Sequence, residues 1–195
     1  MFRATHAIVS FLCCSAIVIL GAGCGEDEKA TPQVVFSGDV QQATGKDCRD
    51  SGPLFEVGEF GNPGANLPSK PVKDGEAAGQ GTVSIACSVV PSGTDEFAVD
   101  ATVNLSGATG GLFKLEGKFK TTGEQTDLRV IASAKRSANG YDQRDRGCIA
   151  RYTDGMGVAA GRVWAEIDCP NAINTSDDNR ACRVTAQFRF ENCAQ

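Results

Sequence analysis

Two neighbouring stretches, Val83-Ser84-Ile85-Ala86-Cys87-Ser88-Val89 and Glu96-Phe97-Ala98-Val99-Asp100-Ala101-Thr102-Val103-Asn104-Leu105, decide the fold. Larger apolar side chains recur at every second position, with small or polar ones between them. A period of two sends alternate side chains to opposite faces of an extended chain, the pattern of a strand with one buried and one wet face. Downstream the pattern continues. Phe113, Leu115 and Phe119 alternate with Lys114, Glu116, Lys118 and Lys120, and Leu128, Val130, Ala132 and Ala134 follow a turn at Thr122-Gly123-Glu124. The joint Ser106-Gly107-Ala108-Thr109-Gly110-Gly111 has hairpin composition. Upstream, Val34-Val35-Phe36 and Leu54 to Phe60 suggest two more strands, separated from Val83 by a Gly-, Pro- and Lys-rich loop from Gly61 to Gly81. No segment has a helical period. The expectation is an all-β, antiparallel β-sandwich of jelly-roll-like form with about eight strands, occupying residues 34–195 as one domain.

The composition agrees with this class and narrows the function. A chain of 195 residues with 41% hydrophobic and 22% charged residues is of one-domain size and is neither disordered nor collagen-like. The net charge is −5 and no window is densely basic, which argues against nucleic acid as a partner. His6 is the only histidine.

Arg3 and His6 precede an apolar run from Ala7 to Leu20. That run is shorter than the roughly 20 residues of a spanning helix and reads as a secretory signal. The sequence Leu20-Gly21-Ala22-Gly23-Cys24 resembles the lipobox of bacterial lipoproteins, although leucine stands four places before the cysteine rather than three. The resemblance covers only this leader. It implies a signal peptide over residues 1–23 and a mature chain beginning at Cys24, held in the cell envelope by a diacylglycerol thioether and an N-linked palmitate-type chain. Gly25 in place of Asp implies the outer membrane. The alternative is an ordinary secretory signal cut near Gly23, leaving Cys24 as a thiol. Residues 24–33 are acidic and small and read as a flexible tether. With His6 removed, the mature chain has no imidazole. Ser-His-Asp and Cys-His catalysis and histidine-ligated metals are then excluded.

Of the nine cysteines, Cys13 and Cys14 belong to the leader and Cys24 to the anchor, which leaves Cys48, Cys87, Cys148, Cys169, Cys182 and Cys193. An even number in an exported chain reads as disulfides, and the lack of histidine and of Cys-x-x-Cys spacing argues against zinc. One pairing follows from a register argument. If Cys169 lies opposite Cys182 in a hairpin, then Ile167 meets Val184, Ala165 meets Ala186 and Val163 meets Phe188. On the other face Asp168 meets Arg183 and Trp164 meets Gln187. This predicts a Cys169–Cys182 bridge closing a polar loop from Pro170 to Ala181, with Cys48–Cys87 and Cys148–Cys193 as first choices for the rest.

No catalytic residue is assigned. Glu166 and Asp168 share a strand face, but Arg183 nearby disfavours the raised pKa that a carboxyl general acid needs. A ligand face is expected around Trp164, the single tryptophan, with Arg162, Glu166 and Arg189, to which Tyr141 and Tyr152 could be added. The competing expectation is that a loop covers Trp164 or that it packs on the stem of Arg189. No metal or other cofactor is assigned; with zinc disfavoured, calcium is the remaining candidate, at the oxygen-rich stretches 171–179 and 141–145. Lys114, Lys118 and Lys120 form a short basic row that reads as a solvated sheet face. Together these readings describe a lipid-anchored, non-enzymatic structural or binding module with an envelope protein or polysaccharide as partner. A carbohydrate-binding module or carbohydrate-active enzyme using the Trp164 face is the second reading.

Overall fold

Each alternating segment forms a strand in the computed structural model, which describes residues 30–62, 67–137, 139–153 and 155–195. The leader, Cys24 and most of the tether lie outside the described residues. The long strands are β1 (Gln33–Gln42), β2 (Gly52–Val57), β5 (Gly81–Gly93), β6 (Glu96–Leu105), β7 (Gly111–Lys120), β8 (Gln125–Ala134), β12 (Arg162–Asn174) and β13 (Asp177–Glu191). They cover the alternating stretches read from the sequence, but the expected count of about eight strands is too low. Five short strands bring the total to thirteen: β3 (Val72–Lys73), β4 (Ala77–Ala78), β9 (Gly140–Asp142), β10 (Cys148–Arg151) and β11 (Gly157–Ala159). These run for four residues or fewer, too short for a period of two to show in the sequence. Among the described residues there is no helix.

All the strand pairs are antiparallel, and the sheet is one continuous path, β2-β1-β13-β12-β10-β8-β7-β6-β5-β4. Its far edge is capped at several points. The Gly75 amide donates to the Val83 carbonyl and the Val83 amide to the Glu76 carbonyl, both at 2.9 Å, and Asp74 Oδ1 accepts the Ile85 amide at 2.7 Å. Further along β5, the Val89 amide donates to the Ala194 carbonyl, the Ala194 amide to the Cys87 carbonyl and the Gly161 amide to the Val89 carbonyl. β3 pairs with β1 and β4 with β5, so one short excursion ties the two ends of the sheet together. Such capping removes the unpaired edge that would otherwise template aggregation. The inward face forms one apolar core, with Phe36, Phe113, Phe119, Phe188 and Phe190 all buried.

The β12–β13 hairpin keeps the expected faces but not the expected register. Val163 lies opposite Phe190, Ala165 opposite Phe188 and Ile167 opposite Ala186, two residues away from the sequence-based alignment. An even offset preserves which side chains face inward, so the apolar pattern does not distinguish the two registers. The offset arises at two irregularities, between Ile173 and Asn174 and between Cys169 and Ala172. Pro170, which lacks the amide a ladder needs, lies in the second. The stretch expected to be a polar loop instead continues as strand to a tight turn at Thr175 and Ser176. Asp168 therefore faces Thr185, and its ion pair with Arg183 (2.6 and 2.7 Å) is diagonal rather than directly across. Trp164 faces Arg189 rather than Gln187.

All six expected cysteines are oxidised, but none of the three expected pairings occurs. The bridges are Cys48–Cys182, Cys87–Cys193 and Cys148–Cys169. The four-residue β10 inserts between β8 and β12 and brings Cys148 beside Cys169. Cys182 lies opposite Gln42 and faces the segment after β1, where Cys48 sits. Cys193 follows β13 where the chain runs alongside β5 and meets Cys87.

Two polar clusters link separate segments of the chain. Asp50 Oδ2 accepts from Asn139 Nδ2 (2.6 Å) and from the hydroxyl of the buried Tyr141. These donors, Tyr141 first, hold the Asp50 pKa below the usual carboxylate range, while burial and Asp50 push the Tyr141 hydroxyl up. Asp142, 7% exposed, is clamped by Arg129 Nε (3.0 Å) and Nη2 (2.8 Å), and its pKa is lowered chiefly by those bonds. A carboxylate with a lowered folded-state pKa stabilises the fold above its unfolded pKa of about 4, and that contribution is lost as the pH falls through the folded value. Stability is therefore expected to fall below about pH 4. Asp50→Asn should flatten that acid limb in a series of thermal melts. An unchanged acid limb in this variant would contradict the assignment.

Candidate functional site

The outer face of β1, β13, β12 and β10 forms a grid of side chains that follows from strand register. Ser37, Gln187, Glu166 and Arg151 make one row, and Asp39, Thr185, Asp168 and Ile149 the next. Between them runs a trough of about 400 Å³. Arg183 occupies both oxygens of Asp168, and Arg151 pairs with Glu124 at 2.7 Å. Asp39 and Glu166 have no cationic partner among the described residues, and Asp39 Oδ1 is buried without a hydrogen bond.

A second cavity of about 760 Å³ adjoins the trough and shares Gln187 with it. Its floor carries Trp164 and Arg189, with the guanidinium carbon 5.2 Å from the indole centroid and Arg189 Nη2 bonded to Glu191 at 2.6 Å. Met156 and Thr153 form one wall. The other is an arm in which Glu59 bridges Lys70 and Asn62 bridges Leu67, presenting Phe60, Leu67 and Pro68. Gly61 lets this arm fold closely, since a Cβ there would lie 2.6 Å from the Leu67 carbonyl oxygen and the Ser69 nitrogen. Leu67 is 61% exposed, the one exposed large hydrophobic side chain among the described residues.

Of the residues expected from the sequence, Trp164, Glu166 and Arg189 line these two cavities. Arg162 is exposed on the same strand and lines neither. The expectation that Trp164 packs on Arg189 and the expectation that a loop reaches over it describe the same place, because the arm forms a wall and leaves a cavity. Tyr141 is buried on the far side of the sheet and does not join the face. Tyr152 donates its hydroxyl to the Lys120 carbonyl at 2.9 Å. Asp39, Ser37 and Thr185 are not among the residues expected from the sequence, although Phe36, Gly38 and Val40 facing inward imply Ser37 and Asp39 outward. Phe60 and Met156 lie in irregular segments whose periodicity carries no signal.

The stretches considered for calcium use their oxygens internally. Asn174 Oδ1 accepts the Ser176 amide, Asp177 Oδ1 the Asn179 amide and Asp145 Oδ1 the Gly147 amide, while Asp178 pairs with Arg144. Among the described residues no cluster of three or more His, Cys, Asp or Glu could hold a metal ion. In the row considered basic, Lys114 pairs with Glu116 (2.5 Å) and Lys118 with Glu96 (2.9 Å). Among the described residues, the four carboxylates with clearly shifted pKa values, Asp50, Glu96, Glu116 and Asp142, are all held low, by hydrogen bonds from Tyr141, Lys118, Lys114 and Arg129 respectively. Compared with models of protein families, with curated proteins and with solved structures, the chain matches none.

Proposed function

We propose that the chain is an exported lipoprotein, anchored in the bacterial outer membrane through acylated Cys24, whose oxidised β-domain serves as a non-enzymatic binding module on a short acidic tether. The observation that carries this reading is the pairing of all six cysteines left after the leader and anchor are set aside. Bridges of this density persist in oxidising compartments and are rare in the cytosol. The absence of histidine after residue 6 supports a binding rather than a catalytic role. The finer fold in this proposal is a jelly-roll-like sandwich formed as one sheet doubles over itself. Phe36 on β1 and Phe113 on β7, far apart along the strand path, have ring centroids 4.8 Å apart, which supports that form.

Intact mass of the protein extracted from membranes tests the anchor. The expected product begins at Cys24 and carries acyl chains, and Cys24→Ala releases the domain from the membrane fraction. A mature chain with an unmodified thiol at Cys24 would contradict the reading.

A second reading, carbohydrate recognition on the Trp164 face, is favoured by the adjoining cavities on that face. They place the Trp164 indole beside a trough that carries Ser37, Asp39, Glu166, Thr185 and Gln187 among apolar side chains.

A further inference from the structure

We infer that the two cavities form one continuous cleft for an uncharged, linear oligosaccharide, with a sugar ring seated between Trp164 and the arm and the chain running past Gln187 into the trough. This deepens the second reading above and rests on it, while the anchoring proposal does not depend on it.

Three observations select this ligand class. The first is that the strands flooring the cleft have no free edge. β1 pairs with β2 and β13, β13 with β1 and β12, β12 with β13 and β10, and β10 with β12 and β8. A peptide bound by strand addition needs unpaired backbone groups at a sheet edge. Here recognition falls to side chains, the way a sugar's hydroxyls are read.

The second is that apolar and polar side chains mix along the whole cleft. At one end Trp164, Phe60 and Met156 offer apolar surface of the kind that covers the C–H face of a pyranose. Along the trough Ser37, Thr185, Gln187, Asp39 and Glu166 offer donors and acceptors suited to equatorial hydroxyls, beside apolar surface at Ile149. A purely apolar ligand would leave those polar groups desolvated and unpaired, at a cost in free energy.

The third is charge. Arg189 is paired with Glu191, Arg183 with Asp168 and Arg151 with Glu124, while Asp39 and Glu166 have no ion-pair partner among the described residues. The trough therefore carries uncompensated negative charge, which disfavours uronic acids, sulfated glycans and other anionic polymers.

Trp164 is the only tryptophan, so its fluorescence reports on this cleft without labelling. The oxidised protein is titrated with neutral hexasaccharides of glucose, mannose, xylose and N-acetylglucosamine, with oligogalacturonate as an anionic control and an aromatic-rich neutral peptide as a competing class. The expected result is a saturable shift in emission with at least one neutral hexasaccharide at or below about 1 mM, and none with oligogalacturonate. Calorimetry on Trp164→Phe, which preserves packing, and on Glu166→Gln, on the exposed face, should show affinity reduced by about tenfold or more with unchanged melting temperature. If no neutral sugar binds, if the peptide alone binds, or if sugar binding survives both substitutions, the inference is overturned. The membrane-extraction result stands independently of all three.

Discussion

Replacing Cys48 and Cys182 together with Ala is expected to lower the free energy of unfolding by about 5 kcal/mol. The two residues are 134 apart in sequence, so their bridge closes most of the domain into a loop in the denatured chain. In the chain-entropy account such a constraint removes more unfolded-state freedom than a short one. Cys87–Cys193, with a separation of 106, should have nearly the same effect, and Cys148–Cys169, with a separation of 21, about 3 kcal/mol. Against a typical total of about 5–15 kcal/mol, loss of either long bridge brings the domain near the threshold of folding. Urea titration of the three double variants gives the ranking directly. A loss below about 1 kcal/mol for Cys48/Cys182, or an inverted ranking, would show that the stabilisation lies elsewhere.

Phe113→Ala is expected to cost about 3–5 kcal/mol. The ring is fully buried, 4.8 Å from Phe36 and 5.7 Å from Phe188 between centroids, and Phe36 in turn meets Phe55 at 4.5 Å. Truncation removes the middle of a row of rings that links β2, β1, β7 and β13. The cavity it leaves is lined by side chains fixed on separate strands, which limits collapse. Phe113→Leu should recover more than half of the loss, since it restores most of the buried volume. By contrast, Lys118→Ala on the wet face of the same strand should stay within about 0.5 kcal/mol. Equal effects at the two positions, measured by the same titration, would mean that β7 does not have one buried and one solvated face.

How far the sequence carries depends on what periodicity can encode. Alternation identifies the face of each residue, and it correctly separates Phe113, Leu115 and Phe119 from Lys114, Glu116 and Lys118. It does not identify the neighbouring strand. Cys148 meets Cys169 because a four-residue strand, with no readable period, inserts between β8 and β12. Cys193 meets Cys87 because the chain after β13 runs beside β5, a strand far from β13 in the sheet order, which no local pattern records. The shift in the last hairpin has the same origin: parity fixes the inward set, and two ladder irregularities, one of them holding Pro170, decide the partners. The candidate cleft was half legible. Trp164, Glu166 and Arg189 follow from strand faces, whereas Phe60, Leu67 and Met156 are placed by irregular chain whose path is set by tertiary packing.

An oxidising location and the long-range pairings that it permits underlie both the fold and the proposed placement. Peptide mapping of the protein isolated from its native source under non-reducing conditions, with free thiols blocked at lysis, measures both together. The expected map contains Cys48 joined to Cys182, Cys87 to Cys193 and Cys148 to Cys169, with no blocked thiol among the six. Blocked thiols at these positions, or a Cys169–Cys182 peptide, would contradict it.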